Sequence, residues 1–160
     1  MRIVALISLI AVSLFPFKSN AIQYEQSEVD CLAKNIYFEA RGESSIGQYA
    51  VGMVTLNRLD SPDFPDTICE VVTEAKRDAN GNPILHKCQF SWFCDGKSDT
   101  PKHNLAWDRA VIVAKNLILF SFPDITQGAV FYHAKSVSPY WKKHFTFVRA
   151  IDNHLFYTEK

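Results

Sequence analysis

The stretch that decides the fold of this chain is Tyr37-Phe38-Glu39-Ala40-Arg41-Gly42-Glu43. Two aromatic residues lead into two carboxylates separated by an arginine and a glycine, and a glycine here is typical of a helix C-terminus. A carboxyl group placed where an apolar wall meets solvent has its charged form disfavoured, so its pKa rises towards neutral pH. Cleavage of a glycosidic bond needs an acid of that kind. The alternative interpretation is a solvated helix end whose glycine is only a cap.

The apolar pattern around this stretch predicts a mainly helical core. Ser27 and Asp30 resemble a capping box that opens the first helix. The second helix, residues 45–58, is apolar on most sides, which indicates a central, buried element. The predicted helices span residues 27–38, 45–58, 67–75 and 104–120.

Beyond Pro123 the pattern changes, because aromatic and β-branched residues become enriched as they are in strands. The predicted strands span residues 129–133, 146–150 and 155–158. Residues 76–103 are predicted to be rich in loops, with turn signals at Asn80-Gly81 and Asp95-Gly96. The sequence therefore predicts an α+β fold, mainly α, with a helical core and a small antiparallel β element near the C-terminus.

The first 21 residues have the layout of a secretory signal peptide. Met1-Arg2 gives a positive start, residues 3–17 are almost entirely apolar, and Ser19-Asn20-Ala21 offers small residues for cleavage. The apolar run is short for a membrane-spanning helix, which needs about 20 residues. An uncleaved N-terminal anchor is therefore the less favoured alternative. Residues 1–21 are thus predicted to be a leader. Residues 22–160 are predicted to be one domain that works in the periplasm or outside the cell, without stable membrane insertion.

The charge of the chain argues against one class of partner. Basic and acidic residues number 17 each, and removing Arg2 and Lys18 with the leader leaves 15 against 17, a net charge of −2. Nucleic acids bind basic surfaces, so no nucleic-acid partner is predicted. Nothing in the sequence suggests an assembly larger than a monomer.

Four cysteines follow the predicted leader, and an even number in an exported chain favours two disulfides. Sequence alone cannot choose among the three pairings; the one favoured here joins Cys88 to Cys94 around a short loop and Cys31 to Cys69 between two helices. The alternative is a zinc site whose spacing matches none of the usual paired-ligand patterns. Its ligands would be His86, Cys88, Cys94 and His103. Neither a metal site nor a cofactor is predicted.

Three further blocks, at residues 88–96, 128–133 and 152–157, combine aromatic with polar residues. Sugar rings have apolar faces and hydroxyl rims, so a groove that binds them needs flat aromatic side chains beside fixed polar groups. Taken singly, each block is more often core packing, because aromatic residues dominate protein cores.

Taken together, these blocks resemble the SleB/CwlJ-type cell wall hydrolases, which are named for enzymes that degrade spore cortex peptidoglycan. The resemblance extends from Cys31 to Tyr157. Its specific marks are Ile36 to Glu43, Ala50-Val51, Leu56-Asn57-Arg58, the Cys-Gln-Phe-Ser-Trp block at 88–92 and Gly128-Ala129. That family is similar in fold to the lysozyme-like lytic transglycosylases, which implies a helical domain with a cleft beside a short sheet.

The resemblance places the catalytic acid in the Glu-Ala-Arg-Gly-Glu segment, and we assign it to Glu39. The residues themselves agree, because Glu39 follows two aromatic residues, whereas Glu43 lies beyond the glycine and is predicted to be wetter. Glu43 is expected to pair with Arg41 or Arg58, or to polarise the site as a substrate-binding group; Glu43 as the acid is the alternative. Asn57-Arg58 is expected to close the second helix, with Arg58 in salt bridges to nearby carboxylates.

Three more residues, Gln89, Ser91 and Tyr132, are predicted to contact the N-acetyl groups or the leaving oxygen of the substrate. Ordinary loop hydrogen bonding is the alternative for each. His133 and His154 are given no part in the acid's role, because a lone histidine next to a strand is more often structural.

The predicted substrate is the glycan strand of peptidoglycan, cut between N-acetylmuramic acid and N-acetylglucosamine through an oxocarbenium-like state. A second carboxylate that holds a water, with Asp95 and Asp152 as candidates, would give hydrolysis. Without one, the 6-hydroxyl of the muramic acid attacks and leaves an anhydro sugar. The absence of a second carboxylate in a matching motif favours this lytic transglycosylase outcome.

Two other classes are weighed against a glycosidase. A non-catalytic module that binds peptidoglycan or an envelope protein would keep the aromatic groove without needing a buried acid. An amidase or peptidase would need a metal or an activated nucleophile, and the sequence contains no HExxH or nucleophile-elbow pattern.

Overall fold

The computed structural model describes residues 25–160, so the predicted leader lies outside the described residues. The helices are α1 (Gln26–Ala40), α2 (Ser45–Leu59), α3 (Ile68–Val72) and α4 (Leu105–Leu119). The strands are β1 (Ala75–Arg77), β2 (Pro83–Cys88), β3 (Phe131–Ala134), β4 (Thr146–Ile151) and β5 (His154–Thr158), and two 3-10 helices span Ser91–Cys94 and Tyr140–His144. Within residues 25–160, no helix is long and apolar enough to cross a membrane.

Helix α2 lies at the centre of the helical core, as its apolar pattern predicted. It contacts α1, α3 and α4. Gly52 allows the helices to approach closely, since a side chain at this position would collide with Leu117 of α4. The helix begins after Ser44, whose Oγ accepts a hydrogen bond from the backbone N–H of Gly47.

Helix α1 forms where it was predicted, but the predicted capping box is wrong. The Ser27 hydroxyl donates to the Glu25 side chain, and the N-cap residue makes no side-chain cap hydrogen bond. Burial of Leu32, Ala33 and Ile36 in the core stabilises the helix instead. The helix continues to Ala40, so that Glu39 lies in its last turn.

The C-terminal sheet has three antiparallel strands in the order β3-β5-β4. Phe156 of the central strand β5 is fully buried and packs in one cluster with Ala50 and Val54 of α2. The register of β3 and β5 places Tyr132 opposite Phe156. The sheet confirms the predicted mainly helical α+β fold, and it carries Tyr132 to the end of α1.

Residues 76–103 are rich in loops as predicted, but the prediction missed a pair of strands in their first part, and the third helix is shorter than predicted. The chain leaves α3 at Val72 and forms an antiparallel pair of strands, β1 and β2. These strands are mostly exposed, so they lack the apolar alternation that identifies a half-buried strand. The recognised turn closes the pair, with the Asp78 side chain accepting hydrogen bonds from the backbone N–H groups of Asn80 and Asn82.

Two disulfides form in the pairing that the sequence analysis favoured. Cys31–Cys69 joins α1 to the start of α3, and Cys88–Cys94 joins the end of β2 to the following 3-10 helix. Cys88 and Cys94, the two cysteine ligands of the alternative zinc site, are therefore joined in a disulfide and offer no thiolate to a metal.

Candidate active site

A cavity of about 480 Å³ lies between the end of α1, the 3-10 helix Ser91–Cys94 and the C-terminal sheet. Three of the residues predicted from the sequence, Glu39, Ser91 and Tyr132, line it together. Its other lining residues include Phe38, Arg41, Trp92, Asp95, Lys97, His133 and His154. The cavity therefore combines aromatic side chains with a few convergent polar groups, as ligand sites generally do.

The side chain of Glu39 is half-buried in this cavity. Its Oε2 accepts a hydrogen bond from the Tyr132 hydroxyl, 3.2 Å away. Burial raises the pKa of Glu39 above its ordinary value of 4.5, although the Tyr132 hydrogen bond and the positive charge of Arg58 act in the opposite direction. More of this carboxyl is therefore protonated near neutral pH than of an exposed glutamate, as a general acid requires.

The C-terminal sheet holds Tyr132 over Glu39. The Tyr132 ring packs edge-on against His154, with centroids 5.2 Å apart, and lies 5.7 Å from the ring of Phe156. Burial, and then the negative charge of Glu39, raise the pKa of Tyr132 well above its ordinary value. The hydroxyl consequently keeps its proton and can donate a hydrogen bond to the Glu39 carboxyl group.

Phe38 and Trp92 form an aromatic wall of the cavity. Their rings stack with centroids 5.0 Å apart and planes 16° apart. Buried hydrogen bonds hold Trp92 in place. Its Nε1 donates to the Asn35 side chain at 2.9 Å, and Asn35 donates in turn to Thr55 Oγ1 at 3.1 Å. Sequence reasoning missed Asn35 and Thr55; the available signal was a polar residue on the apolar face of each helix, which needs a buried partner.

The predicted salt bridges of Arg58 are wrong. Arg58 is only 3% exposed, and its guanidinium carbon lies 4.9–5.3 Å from the ring centres of three aromatic residues. These are Phe64, Phe90 and Phe131. The Arg58 Nε donates to the carbonyl of Val130 at 2.7 Å, and among the described residues no carboxylate comes within 4.0 Å of the guanidinium.

Glu43 is bound to the turn between β4 and β5. Its Oε2 accepts a hydrogen bond from the backbone N–H of Asn153 at 3.1 Å, and its Oε1 accepts one from the Asn153 side-chain amide at 3.2 Å. The expected ion pair with Arg41 or Arg58 is wrong, since among the described residues neither guanidinium lies within 4.0 Å of the Glu43 carboxyl group. The Arg41 guanidinium lies instead over the Tyr37 ring, 5.2 Å from its centre. Contact between Glu43 and substrate stays a prediction.

Gln89 lies apart from Glu39. It is exposed and lines a separate cavity of about 300 Å³ beside β1 and β2, together with Glu74 and Lys87. Its backbone N–H donates to the Glu74 carbonyl at 3.0 Å. Ser91 lies in the main cavity, and contact of either residue with substrate stays a prediction.

The two candidates for a second carboxylate differ in their surroundings. Asp95 lines the main cavity and forms an ion pair of 3.3 Å with Lys97, whose backbone N–H is the main cause of a lowered Asp95 pKa. Asp152 lies in the β4–β5 turn, where hydrogen bonds from the hydroxyl and backbone N–H of Ser44 lower its pKa. Asp95 is therefore the candidate that shares a cavity with Glu39.

The two histidines of the cavity are both buried. His133 places Nδ1 2.9 Å from the Ala134 carbonyl and Nε2 3.0 Å from the Tyr157 hydroxyl, so both ring nitrogens have partners. Burial lowers the pKa of His154, which favours its neutral form. No group of three or more His, Cys, Asp or Glu in residues 25–160 is arranged to hold a metal ion.

Comparison with known families gives a match over most of the described chain. The profile of the cell wall hydrolase family matches residues 42–157. The matched range begins at Gly42, three residues after Glu39, and it includes Glu43, Ser91 and Tyr132.

Curated relatives are similar over a shorter segment. The spore cortex-lytic enzyme of Halalkalibacterium halodurans is 47% identical over 51 residues, which are 32% of this chain and 16% of that enzyme. The spore cortex-lytic enzyme of Bacillus subtilis is 43% identical over 51 residues, which are 32% of this chain and 17% of that enzyme. The match thus spans less than a fifth of the length of either relative.

Two solved structures are similar over most of the chain. The catalytic domain of the germination-specific lytic transglycosylase SleB from Bacillus anthracis has 28% identity and a TM-score of 0.63, covering 85% of this chain and 98% of that domain. The catalytic domain of SleB from Bacillus cereus has 27% identity and a TM-score of 0.59, covering 84% of this chain and 92% of that domain. The expected lysozyme-like arrangement of helices beside a short sheet is confirmed.

Proposed function

This chain belongs to the cell wall hydrolase family, and we propose that it cleaves the bond between N-acetylmuramic acid and N-acetylglucosamine in peptidoglycan, with Glu39 as its general acid. The observation that carries the proposal is the contact of 3.2 Å between the Glu39 carboxyl and the Tyr132 hydroxyl inside an aromatic-walled cavity. Burial favours the protonated carboxyl, while the hydroxyl is ready to stabilise the carboxylate that remains after the proton has left.

The reaction begins when protonated Glu39 gives its proton to the glycosidic oxygen. The bond between this oxygen and the anomeric carbon of the muramic acid breaks, the glucosamine leaves with a new hydroxyl group, and positive charge develops on the muramic ring. The Tyr132 hydroxyl donates its hydrogen bond to the Glu39 carboxylate at this stage. The 6-hydroxyl of the muramic acid then attacks the anomeric carbon and returns its proton to Glu39, which closes a 1,6-anhydro ring and restores the acid.

Two observations favour this lytic transglycosylase outcome over hydrolysis. The Bacillus anthracis neighbour is named as a lytic transglycosylase, and Asp152 is bound to Ser44 in the β4–β5 turn. Hydrolysis would require Asp95 to hold a water on the other side of the sugar ring, in competition with its ion pair to Lys97.

The rest of the proposal concerns the setting of the enzyme. Ser91 lies where it can contact an N-acetyl group or the leaving oxygen, and the Phe38–Trp92 wall lies where a sugar ring can stack. Residues 1–21 direct export to the periplasm or the cell exterior, and residues 22–160 act there as a monomeric catalytic domain on glycan strands.

Digestion of purified peptidoglycan, followed by mass spectrometry of the products, tests the proposal. We expect muropeptides that end in 1,6-anhydro-muramic acid, which are lighter by one water than hydrolysis products. Products that carry only reducing ends would show that the enzyme is a hydrolytic muramidase and not a lytic transglycosylase. A zymogram separates both from a binding module, because a module would be retained on the wall without clearing it.

A further inference from the structure

Asn57 and Arg58, near the end of α2, bind two consecutive carbonyl groups of the segment that leads into β3. The Asn57 Nδ2 donates to the Ala129 carbonyl at 3.0 Å, and the Arg58 Nε donates to the Val130 carbonyl at 2.7 Å. Tyr132 follows two residues later. The backbone segment that carries Tyr132, whose hydroxyl donates a hydrogen bond to Glu39, is therefore attached directly to α2.

The surroundings of Arg58 are costly for a charged group. Removing a guanidinium from water without a paired carboxylate costs several kcal/mol in general, and the aromatic faces around it return only part of that cost. The Arg58 Nη1 is buried and has no hydrogen-bond partner among the described residues. Closing a helix end does not require such an arrangement, because an exposed lysine or arginine serves the helix dipole as well.

The positive charge of Arg58 opposes the rise that burial causes in the pKa of Glu39, although Arg58 does not line the cavity. Burial lowers the pKa of Arg58, whereas the negative charges of the Glu74 and Glu39 carboxylates act to raise it. Glu74 is also incompletely bonded, since its Oε2 is buried without a partner. The other charged or titratable groups that line the Glu39 cavity are Arg41, Asp95, Lys97, His133 and His154.

We propose that Arg58 is a positioning residue for Glu39, which fixes Tyr132 through the Val130 carbonyl and supplies a permanent positive charge that acts on the Glu39 carboxyl. This inference rests on the proposed function for its catalytic meaning. The hydrogen bond keeps the Tyr132 hydroxyl within reach of the Glu39 Oε2. The charge stabilises the carboxylate that exists between the departure of the proton and its return, because arginine stays protonated throughout the working pH range.

Arg58→Met removes the charge and keeps an unbranched side chain between the aromatic rings, whereas Arg58→Lys keeps a charge and loses the Nε donor. We expect the alkaline limb of the kcat/KM profile to move up by about 1 pH unit in Arg58→Met, at the low end of the effect of a nearby opposite charge. The limb should stay in place in Arg58→Lys, while kcat falls several-fold at every pH. Arg109→Met, which removes an exposed arginine of α4, is the matched control and should leave the profile unchanged.

Glu74→Gln provides an independent variant with the opposite sign. Glu74→Gln removes a negative charge that counteracts the positive charge of Arg58. The pKa of Glu39 should therefore fall, and the alkaline limb of the kcat/KM profile should move to lower pH. The variant is nearly isosteric, so it tests whether charge in this region reaches Glu39 even if Arg58→Met does not fold. Circular dichroism and the melting temperature identify variants that have lost structure.

A second readout is the ¹³C NMR titration of the Glu39 carboxyl in the wild type and in each variant, which follows the charge effect without requiring lysis. A titration midpoint that moves up in Arg58→Met and down in Glu74→Gln supports the inference. A midpoint that stays within about 0.2 pH units of the wild-type value in both variants overturns the charge effect. Arg58 would then be a structural residue. Absence of lysis by the wild type would instead overturn the proposed function, so the two failures are distinguishable.

Discussion

Glu39 and Glu43 lie four residues apart in one short segment, yet their carboxyl groups have different surroundings. Glu39 lies in the last turn of α1, half-buried, and accepts one hydrogen bond from a tyrosine hydroxyl. Glu43 lies beyond the helix end and accepts two hydrogen bonds, both from Asn153. One carboxyl group faces a cavity, and the other fastens a turn of the sheet to the start of α2.

The difference shows that the role of each glutamate depends on the part of the chain that reaches it. β3 brings an aromatic ring and a hydroxyl to Glu39, so that burial is the largest influence on its pKa. The β4–β5 turn brings two N–H donors to Glu43, which hold its carboxyl group in place. A proton donor needs the first kind of surroundings, and a structural anchor needs the second.

The largest expected effect separates the two glutamates by activity. Glu39→Gln should lower the rate of peptidoglycan lysis by about 100-fold or more, the usual contribution of a general acid, because the amide cannot give up a proton. Glu43→Gln should change kcat only a few-fold. Turbidity assays on purified cell walls measure both rates. Loss of lysis in Glu43→Gln with retained lysis in Glu39→Gln would exchange the two roles.

The next effect concerns the tyrosine that distinguishes the Glu39 surroundings. Tyr132→Phe removes the hydroxyl and keeps the ring, so kcat should fall by about tenfold, as for one hydrogen bond to a charged group. The same change should raise the pKa of Glu39 and move the alkaline limb of the pH profile up, since the lost bond favoured the carboxylate. A lower rate with an unmoved limb would mean that Tyr132 acts on the substrate alone.

A smaller effect is expected at the other glutamate. Glu43→Ala should lower the free energy of unfolding by about 1 kcal/mol, because it removes both partly exposed hydrogen bonds. Asn153→Ala should cost less, because the backbone N–H of residue 153 can still donate to Glu43. The double variant should cost hardly more than Glu43→Ala alone, since the Asn153 side chain has already lost its partner in that variant. Denaturant unfolding measures the three values, and simple additivity would show that the contact contributes nothing.

The smallest effect is the cost in stability of a buried acid. The pKa of Glu39 is higher in the folded chain than the ordinary value of 4.5, so its ionisation disfavours the folded state increasingly as the pH rises through and above that value. Glu39→Gln should therefore match the wild type in melting temperature near pH 4 and exceed it by a few degrees at pH 8. Melting curves at several pH values measure the difference, and an equal gap at every pH would assign it to packing.

The features that could be predicted from the sequence are those set by local pattern. The burial of α2 follows from its apolar residues, and the position of Glu39 near a helix end follows from the glycine two residues beyond Ala40. The disulfide pairing was favoured because Cys88 and Cys94 are close in sequence.

The features that could not be predicted depend on contacts between distant segments. Tyr132 and Glu39 are 93 residues apart, and the rings around Arg58 come from three separate segments. No local pattern shows that Arg58 faces rings rather than carboxylates. The β1–β2 pair was missed for a different reason: its strands are exposed, and exposed strands carry no apolar alternation.

The Cys88–Cys94 disulfide encloses Ser91 and Trp92, so part of the cavity wall depends on a bond that persists only in an oxidising compartment. A copy held in a reducing compartment would lack this closure, and we expect it to be a poor enzyme. Comparing lysis by the oxidised and the reduced protein would measure how far activity depends on the redox state of its surroundings.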